Sequence, residues 1–440
     1  MNQALEKTPT EEAYVQALEG GLPSAPEWLS DARQRARDSF LASGLPHRRI
    51  EEWKFTDLRN QLKAGYPPLA EAPLADVDEV QLLAARSPFA EMECARAIFV
   101  DGVFRAELSS VENVDGMEFL PLSAGFENAP EWVKDNLGAL QQQNALAALN
   151  TAFAAEGAAL RVTDKVQKPL ELVFVHTVTS AHTVTTRNLI VLEEGASIEL
   201  LETHMGRAAQ NYVTNVVSEV TIGDNAQFEH VKVQMEGVNC THLSDYNVAL
   251  GANASVNSFV ASSGAGVSRN QVFAEFKGEH STVNLSGAIM MAGTQHCDTT
   301  LEVDHAVPNC ISREMFKLVL DDTARGVFQG KVMVKPSAQK TDGKQMAQAL
   351  LLSETAEFDA KPELEIFADD VVCGHGATAG EMDEELLFYL RARGIPYDQA
   401  MALLIAAFVG EALEEIENED VREAMNDFAT MWLKRREEEH

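Results

Sequence analysis

The residues from Leu189 to Ile198 read LIVLEEGASI, and three later stretches repeat this pattern. They are VTIGDNAQF at 220–228, VALGANASV at 248–256 and FAEFKGEHSTV at 273–283. Each has an apolar run, a turn containing Gly, Asp or Asn, a small residue, and then the start of a new run in which polar and apolar residues alternate. The small residues are 30, 28 and 27 positions apart, at Ala196, Ala226, Ala254 and Ser281. Repeats of this length are typical of a solenoid, in which each turn of chain buries its apolar face against its neighbours.

The composition of the repeats indicates that the solenoid is built from strands. Val, Thr and Ile dominate from about 158 to 372, with little helical periodicity. Looser copies of the turn follow at 321–324 and 353–356. A β-sandwich also has recurring turns, but its turns are not followed by the same sequence motif each time. We therefore predict a β-solenoid core, with the sandwich as the alternative.

Both ends of the chain have helical patterns. One helix is predicted between Glu27 and Gly44, another over about 130–155, and a short strand at 97–100 interrupts this region. Three more helices are predicted after Gly380. The second of these three has an apolar stripe formed by Ala400, Leu403, Leu404, Ala407 and Phe408. The predicted domains are a mostly helical one at 1–157, the solenoid at 158–378 and a helical one at 379–440.

The charge balance limits the classes of partner. The chain has 35 Lys and Arg against 68 Asp and Glu, a net charge of −33. Such a surface repels phosphate backbones and anionic lipids, so neither nucleic-acid binding nor membrane-surface binding is expected. No apolar run approaches the roughly 18 residues that a membrane span needs. The acidic N-terminus lacks the apolar core of a secretory signal, and we expect a cytoplasmic protein.

The five cysteines, at 94, 240, 297, 310 and 373, have wide and irregular spacing. They form neither a disulfide framework nor a CxxC pair, which fits a reducing compartment. Gly343-Lys344 lacks the remaining residues of a phosphate-binding loop, so ATP binding by this chain is not expected.

The best candidate for chemistry is Cys373-Gly374-His375, near the end of the solenoid. Residues two apart on a strand point to the same face, so the thiol and the imidazole should project together. Sulfur and nitrogen ligands suit iron or zinc, but two ligands are too few for a closed site. A partner chain would have to supply the others. The alternative is that Cys373 is a buried apolar residue and His375 a hydrogen-bonded core histidine.

Several longer motifs resemble those of the SufB/SufD family of iron–sulfur cluster assembly proteins. The segment from Arg49 to Leu58 resembles the family's entry motif. The other matching stretches are Gly330–Val332, Ala338–Asp342, Leu350–Ser353, Lys361–Ile366, Asp369–Val371, Cys373–Thr378 and Arg393–Ile395. The length and the absence of clustered N-terminal cysteines make the chain resemble the SufD branch more than the SufB branch.

The resemblance implies a right-handed parallel β-helix between helical domains, and a non-catalytic scaffold subunit in a complex of one SufB, two SufC and one SufD. It implies pairing with SufB through the β-helix and binding of the ATPase SufC by the C-terminal helices, in the region of Arg393, Gly394, Leu403, Leu404 and Phe408. His375 would help hold a transient iron–sulfur cluster opposite SufB, with Cys373 as the weaker candidate. A flavin is a candidate cofactor of the assembled complex, and the isolated chain is a candidate homodimer.

Three alternatives to this function remain open from the sequence. The chain could be a SufB-like paralogue that is itself the main cluster scaffold. It could be a β-helical carbohydrate-active enzyme, although no cluster of Asp with Arg or Lys on one sheet supports this. It could also be a purely structural partner, with every cluster ligand supplied by SufB.

Overall fold

A computed structural model describes residues 6–140 and 144–439, apart from the side chains of residues 125, 127 and 437–439. Its strands are β1 (Ala95–Val100), β2 (Val103–Phe104), β3 (Met117–Pro121), β4 (Ala158–Val162), β5 (Leu170–His176), β6 (His182–Leu192), β7 (Ser197–Gly206), β8 (Tyr212–Ile222), β9 (Gln227–Gln234), β10 (Thr241–Leu250), β11 (Ser255–Ser262), β12 (Val267–Phe276), β13 (Thr282–Met291), β14 (His296–His305), β15 (Ile311–Leu320), β16 (Arg325–Val334), β17 (Asp342–Leu351), β18 (Glu357–Ile366) and β19 (Val372–Glu381). Its helices are α1 (Pro9–Gly20), α2 (Glu27–Ser43), α3 (Leu58–Gln61), α4 (Val77–Ala84), α5 (Leu122–Glu127), α6 (Glu131–Asn136), α7 (Ala145–Phe153), α8 (Glu384–Ala392), α9 (Tyr397–Leu413) and α10 (Glu419–Glu439).

The strands alternate between two sheets as the chain advances, which makes a parallel β-helix with helices at both ends. The odd sheet has the order β19-β17-β15-β13-β11-β9-β7-β5-β1-β2, and the even sheet β18-β16-β14-β12-β10-β8-β6-β4-β3. All strand pairs formed among β4 to β19 are parallel, and each strand pairs with the strand two places away. The predicted solenoid is therefore confirmed, and the sandwich alternative is excluded.

The repeated sequence motif forms the turn that leads from the even sheet to the odd sheet. The four aligned small residues are buried, because each points from its turn into the space between the sheets. The residue before each has a positive φ, namely Gly195, Asn225, Asn253 and His280. Gly adopts this conformation freely and Asn more readily than most residues, which explains the Gly and Asn of the motif.

Of the N-terminal helices, α1, α2 and α7 cover the outer face of the even sheet, whereas α4 packs on the odd sheet. Tyr14, Phe40 and Trp53 share an apolar cluster with Val213 of β8 and Leu243 of β10. The predicted helix at 27–44 is confirmed as α2, whose backbone leaves the helix at Gly44 with φ of 67°. The helix predicted over about 130–155 is instead two shorter helices, α6 and α7. The strand predicted at 97–100 is β1, which extends the odd sheet beside β5.

The C-terminal helices cover the outer face of the odd sheet. Ile405 and Val409 of α9 and Phe428 of α10 pack in one cluster with Phe259 and Val319. Of the predicted apolar stripe on α9, only Ala400 is fully buried, and its other members remain partly or fully exposed. No described helix is long and apolar enough to cross a membrane.

The two ends of the β-helix differ. At the first end, β2 and β3 pair antiparallel with their neighbours and finish the two sheets. At the other end, the ten-residue strands β18 and β19 are the outermost strands of their sheets. In the described part of the chain, therefore, one side of each of these two strands has no pairing partner.

Candidate site at the open end of the β-helix

The segment Cys373-Gly374-His375 lies on β19, the last strand of the odd sheet. The structure places Cys373 and His375 along one groove of about 680 Å³, together with residues of β13, β15 and β17. The strand conformation and the two-residue spacing bring these side chains to the same region, as the sequence predicts.

Cys373 is half-buried and packs against the apolar interior of the β-helix. Its neighbour across the ladder is Gly343, and a Cβ added to that glycine would lie 3.6 Å from the Cys373 sulfur. Burial raises the pKa of the Cys373 thiol, which favours the protonated form in the isolated chain. Binding a metal would release this proton, because the thiolate is the ligand. Of the other cysteines, 240, 297 and 310 are fully buried, as expected of structural residues.

His375 is exposed, so it does not behave as the hydrogen-bonded core histidine of the alternative interpretation. Strand register places it beside Gln345 of β17, which is beside Glu314 of β15. Gln345 and Glu314 are buried, and both line the groove with His375. Their steps of 31 and 30 residues are one turn of the β-helix each.

Glu314 is the least expected member of the groove. It is 2 % exposed, and neither carboxyl oxygen has a hydrogen-bond partner of good geometry among the described residues. Burial raises the pKa of Glu314 from 4.5 to about 8, against weaker opposing effects of Ser312 and Arg313. The groove therefore holds a protonated carboxyl at neutral pH, next to a thiol and an imidazole. It also has Arg313 and Lys344 on its wall in a strongly acidic protein.

The sequence predicts Cys373 and His375 as candidate residues but does not single out Glu314 and Gln345, which line the same groove. No local motif marks these two residues, since they reach the groove only through strand pairing. Laying the sequence out in turns of about 30 residues would have aligned Glu314, Gln345 and His375.

The backbone beside the groove also offers unpaired hydrogen-bonding groups. The Val372 N–H donates to the Thr341 carbonyl on the β17 side over 2.8 Å. Because the N–H direction alternates along a strand, those of Cys373, His375 and Ala377 face the open edge. Edge strands usually carry Lys or Pro that discourages pairing. The edge strand β18 has both, at Lys361 and Pro362, whereas the first nine residues of β19 include no Asp, Glu, Lys, Arg or Pro.

The residues predicted to form a second interaction region lie on the C-terminal helices. Leu403 is 48 % exposed, and Leu404 and Phe408 are half-buried on the same side of α9. The Phe408 ring also contacts the Lys317 ammonium, 4.6 Å from the ring centroid. Arg393 and Gly394 follow the preceding helix α8, where the Arg393 guanidinium donates to the Tyr389 hydroxyl over 2.7 Å.

The exposed apolar surface continues from α9 onto α8. None of the residues of α8 is fully buried, and Phe388 is 75 % exposed. The large exposed apolar side chains of this surface are Leu386, Phe388, Tyr389, Tyr397 and Leu403. A contiguous surface of this kind is typical of a protein–protein contact.

Two family profiles match almost the whole chain. The profile described as "SUF system FeS cluster assembly, SufBD core domain" matches residues 174–408, and "SufBD protein N-terminal region" matches 16–172. The chain is 29% identical over 398 residues to the iron–sulfur cluster assembly protein SufD of Escherichia coli, covering 90% of each chain. It is 31% identical over 425 residues to an iron–sulfur cluster assembly SufBD family protein of Synechocystis, covering 92% of this chain and 90% of the relative. It is also 27% identical over 426 residues to the chloroplastic protein ABCI7 of Arabidopsis thaliana, covering 93% of this chain and 88% of the relative.

Proposed function

We propose that this chain, which belongs to the SufBD family of iron–sulfur cluster assembly proteins, is the SufD-type scaffold subunit of a SufBCD complex. The open end of its β-helix is the feature that carries the proposal. There, an unprotected edge strand carries two iron-binding side chain types beside an apolar groove.

Pairing with SufB would use the free edges of β19 and β18. A partner strand beside β19 would accept hydrogen bonds from the outward N–H groups of Cys373, His375 and Ala377. Two β-helices joined in this way would form one longer β-helix, and the apolar groove would become part of its interior. The isolated chain could use the same edge to pair with a second copy, which is the homodimer that the resemblance implies.

The nascent iron–sulfur cluster is the substrate of this site rather than a resident cofactor. His375 is exposed and would ligate iron, and Cys373 would be a second ligand. Two protein ligands are half of what a cluster needs. The remaining ligands, including a cysteine, would come from SufB.

The C-terminal helices would bind the ATPase SufC. Leu403 and the exposed parts of Leu404 and Phe408 are available for this contact, because α9 directs Ile405 and Val409 into the core. Arg393 and Gly394 lie beside the exposed apolar side chains of α8. ATP hydrolysis by SufC would then rearrange the interface between the two β-helices, without any ATP site on this chain.

The remaining parts of the proposal concern cofactors, compartment and activity. The chain would be a non-catalytic cytoplasmic scaffold, and a flavin is a candidate cofactor of the assembled complex. The carbohydrate-active enzyme is set aside, because the family that matches the chain assembles iron–sulfur clusters. The SufB-like alternative is disfavoured, because SufD proteins are among the similar relatives.

Proline substitution at the open edge tests the SufB contact. Ala377→Pro removes one outward N–H, while the even-numbered residues keep their bonds to β17. Ala377→Ser is the matched control, because it keeps the N–H and nearly the same size. Each full-length variant is co-expressed with SufB and SufC, and the proteins that co-purify are quantified.

We expect Ala377→Pro to reduce recovered SufB at least tenfold and to retain SufC, with Ala377→Ser like wild type. Wild-type recovery of SufB with the proline variant would contradict edge pairing. The size of the isolated wild-type and Ala377→Pro chains in solution, measured in parallel, reports whether a homodimer uses the same edge.

A further inference from the structure

The interior of the β-helix is apolar over most of its length but contains a polar cluster that spans three successive turns. The members of this cluster are Glu202 and His204 of β7, His230 and Lys232 of β9, Glu236 in the turn that follows, and His242 of β10. Each is at most 4 % exposed. Burying charged groups is costly, and a solenoid interior has no structural need for six ionisable side chains at one level.

Three of these side chains converge on one point. His204, Glu236 and His242 each offer a nitrogen or oxygen atom, and these atoms all lie within 4.8 Å of one another. The rings of His204 and His242 meet edge to face, with 4.7 Å between their centroids. Nδ1 of each ring has no hydrogen-bond partner among the described residues. A buried nitrogen without a partner costs about 1–3 kcal/mol, so the unpaired Nδ1 of His204 needs an explanation.

The contact between His242 and Glu236 shows the same feature. His242 Nδ1 is 3.0 Å from Glu236 Oε2, yet the two groups are not aligned as a hydrogen bond. At this separation the carboxyl oxygen and the imidazole nitrogen can both bind one ion.

The surrounding groups hold the three side chains as they are held in metal sites. His204 Nε2 is 2.5 Å from Glu202 Oε1, and metal-binding histidines commonly use their second nitrogen to contact a carboxylate in this way. Glu236 accepts hydrogen bonds from Gln234 over 2.7 Å and from Thr214 over 3.2 Å.

We propose that His204, Glu236 and His242 bind one divalent first-row transition-metal ion, of the Fe²⁺ or Zn²⁺ class. Two imidazole nitrogens and one carboxylate oxygen are the donor set that these ions share. Ligands about 2.1 Å from one ion are at most about 4.2 Å apart. Because no pair of these atoms is more than 4.8 Å apart, the widest pair would need to close by at most about 0.6 Å.

This site is separate from the groove at the open end. Five strand spacings along the odd sheet separate β9 from β19, or about 24 Å at ~4.8 Å per strand. It therefore does not depend on the proposed function, and Cys373 and His375 can be removed without touching it.

Lys232 offers a test that separates metal binding from a purely structural network. Its ammonium is 2.9 Å from His242 Nε2 and 3.8 Å from Glu202 Oε1. In a purely structural network this ammonium neutralises one carboxylate, so replacing Lys232 should not increase metal retention. In a metal site it repels the ion, so Lys232→Gln should increase metal retention.

The experiment uses the full-length chain with Cys373→Ser and His375→Ala, so that the groove cannot contribute ligands. The protein is expressed in medium supplemented with Co²⁺, because the buried site is best loaded during folding. Bound cobalt is measured by mass spectrometry and by visible absorption after dialysis against increasing concentrations of a weak chelator. Far-UV circular dichroism and thermal unfolding check the fold of each variant.

We expect about one cobalt per chain, falling at least tenfold in His204→Gln. His305→Gln is the matched control, because His305 is a buried histidine of the same interior that belongs to another turn. It should retain the cobalt, and Lys232→Gln should retain it at a higher chelator concentration than the parent chain. Absence of cobalt from the parent chain would overturn the proposal, as would equal retention in folded His204→Gln and His305→Gln proteins. If His204→Gln fails to fold, the Lys232→Gln comparison decides, and weaker retention there would overturn the proposal.

Discussion

Replacing Glu314 by Gln tests the environment that the structure assigns to the groove at the open end of the β-helix. The carboxyl is 2 % exposed, and burial raises its pKa from 4.5 to about 8. Between these two pH values the folded chain keeps the proton while the unfolded chain releases it. The folded state then binds more protons than the unfolded state, so its stability falls as the pH rises.

The size of this effect follows from the shift. Each pKa unit is worth 1.36 kcal/mol, so Glu314 should cost wild type about 2–3 kcal/mol of stability between pH 5 and pH 7. Gln has nearly the same shape and does not titrate. The free energy of unfolding of Glu314→Gln relative to wild type should therefore rise by that amount from pH 5 to pH 7. The two proteins should differ least in stability at pH 5.

The assay is urea unfolding of both full-length proteins at pH 5, 6 and 7, followed by circular dichroism. Because all other titrating groups are shared, the difference between the two proteins isolates Glu314. Glu354→Gln, at an exposed turn position, is the control and should differ from wild type by a constant amount. A constant difference for Glu314→Gln as well would refute the argument, since the carboxyl would then be ionised in the folded chain.

Three further predictions concern the partner surface and the fold. Leu403→Glu should abolish co-purification of SufC while keeping SufB, and Leu82→Glu, which alters an exposed leucine of α4, should keep both. Gly157→Ala should destabilise the chain by at least about 3 kcal/mol in urea unfolding, because the added Cβ would overlap the Arg187 carbonyl. Gly195→Ala, at φ of 71° but in open space, should cost only about 1–2 kcal/mol. Arg269→Ala, which removes a buried guanidinium 3.8 Å from the Trp53 ring centroid, should cost about 3–5 kcal/mol and speed proteolysis in the segment 49–58.

The repeat was predictable because each turn of the β-helix must place a small residue at the same bend. Ala196, Ala226 and Ala254 are these small residues, and their regular spacing is visible in the sequence. The helix α9 was harder, because it is apolar on more than one side. Its sequence permits a stripe through Leu403 and Ala407, whereas the sheet beneath selects the face with Ile405.

The candidate site divides in the same way. Cys373 and His375 are neighbours in sequence, so strand geometry alone predicts that they act together. Glu314 and Gln345 come from earlier turns, and the turns vary in length, so their alignment needs the strand register. The interior cluster of His204, Glu236 and His242 is spread over three elements and has no local signature.

The central claim is that the open end of this β-helix supplies part of an iron–sulfur cluster site that SufB completes. The direct test measures iron and sulfide bound to the SufBCD complex with wild-type chain, His375→Ala, or Cys373→Ala and His375→Ala together. We expect His375→Ala to assemble the complex normally but to lose most of the bound iron and sulfide, with little left in the double variant. Wild-type iron and sulfide in an intact complex of the double variant would contradict the claim and would assign all cluster ligands to SufB.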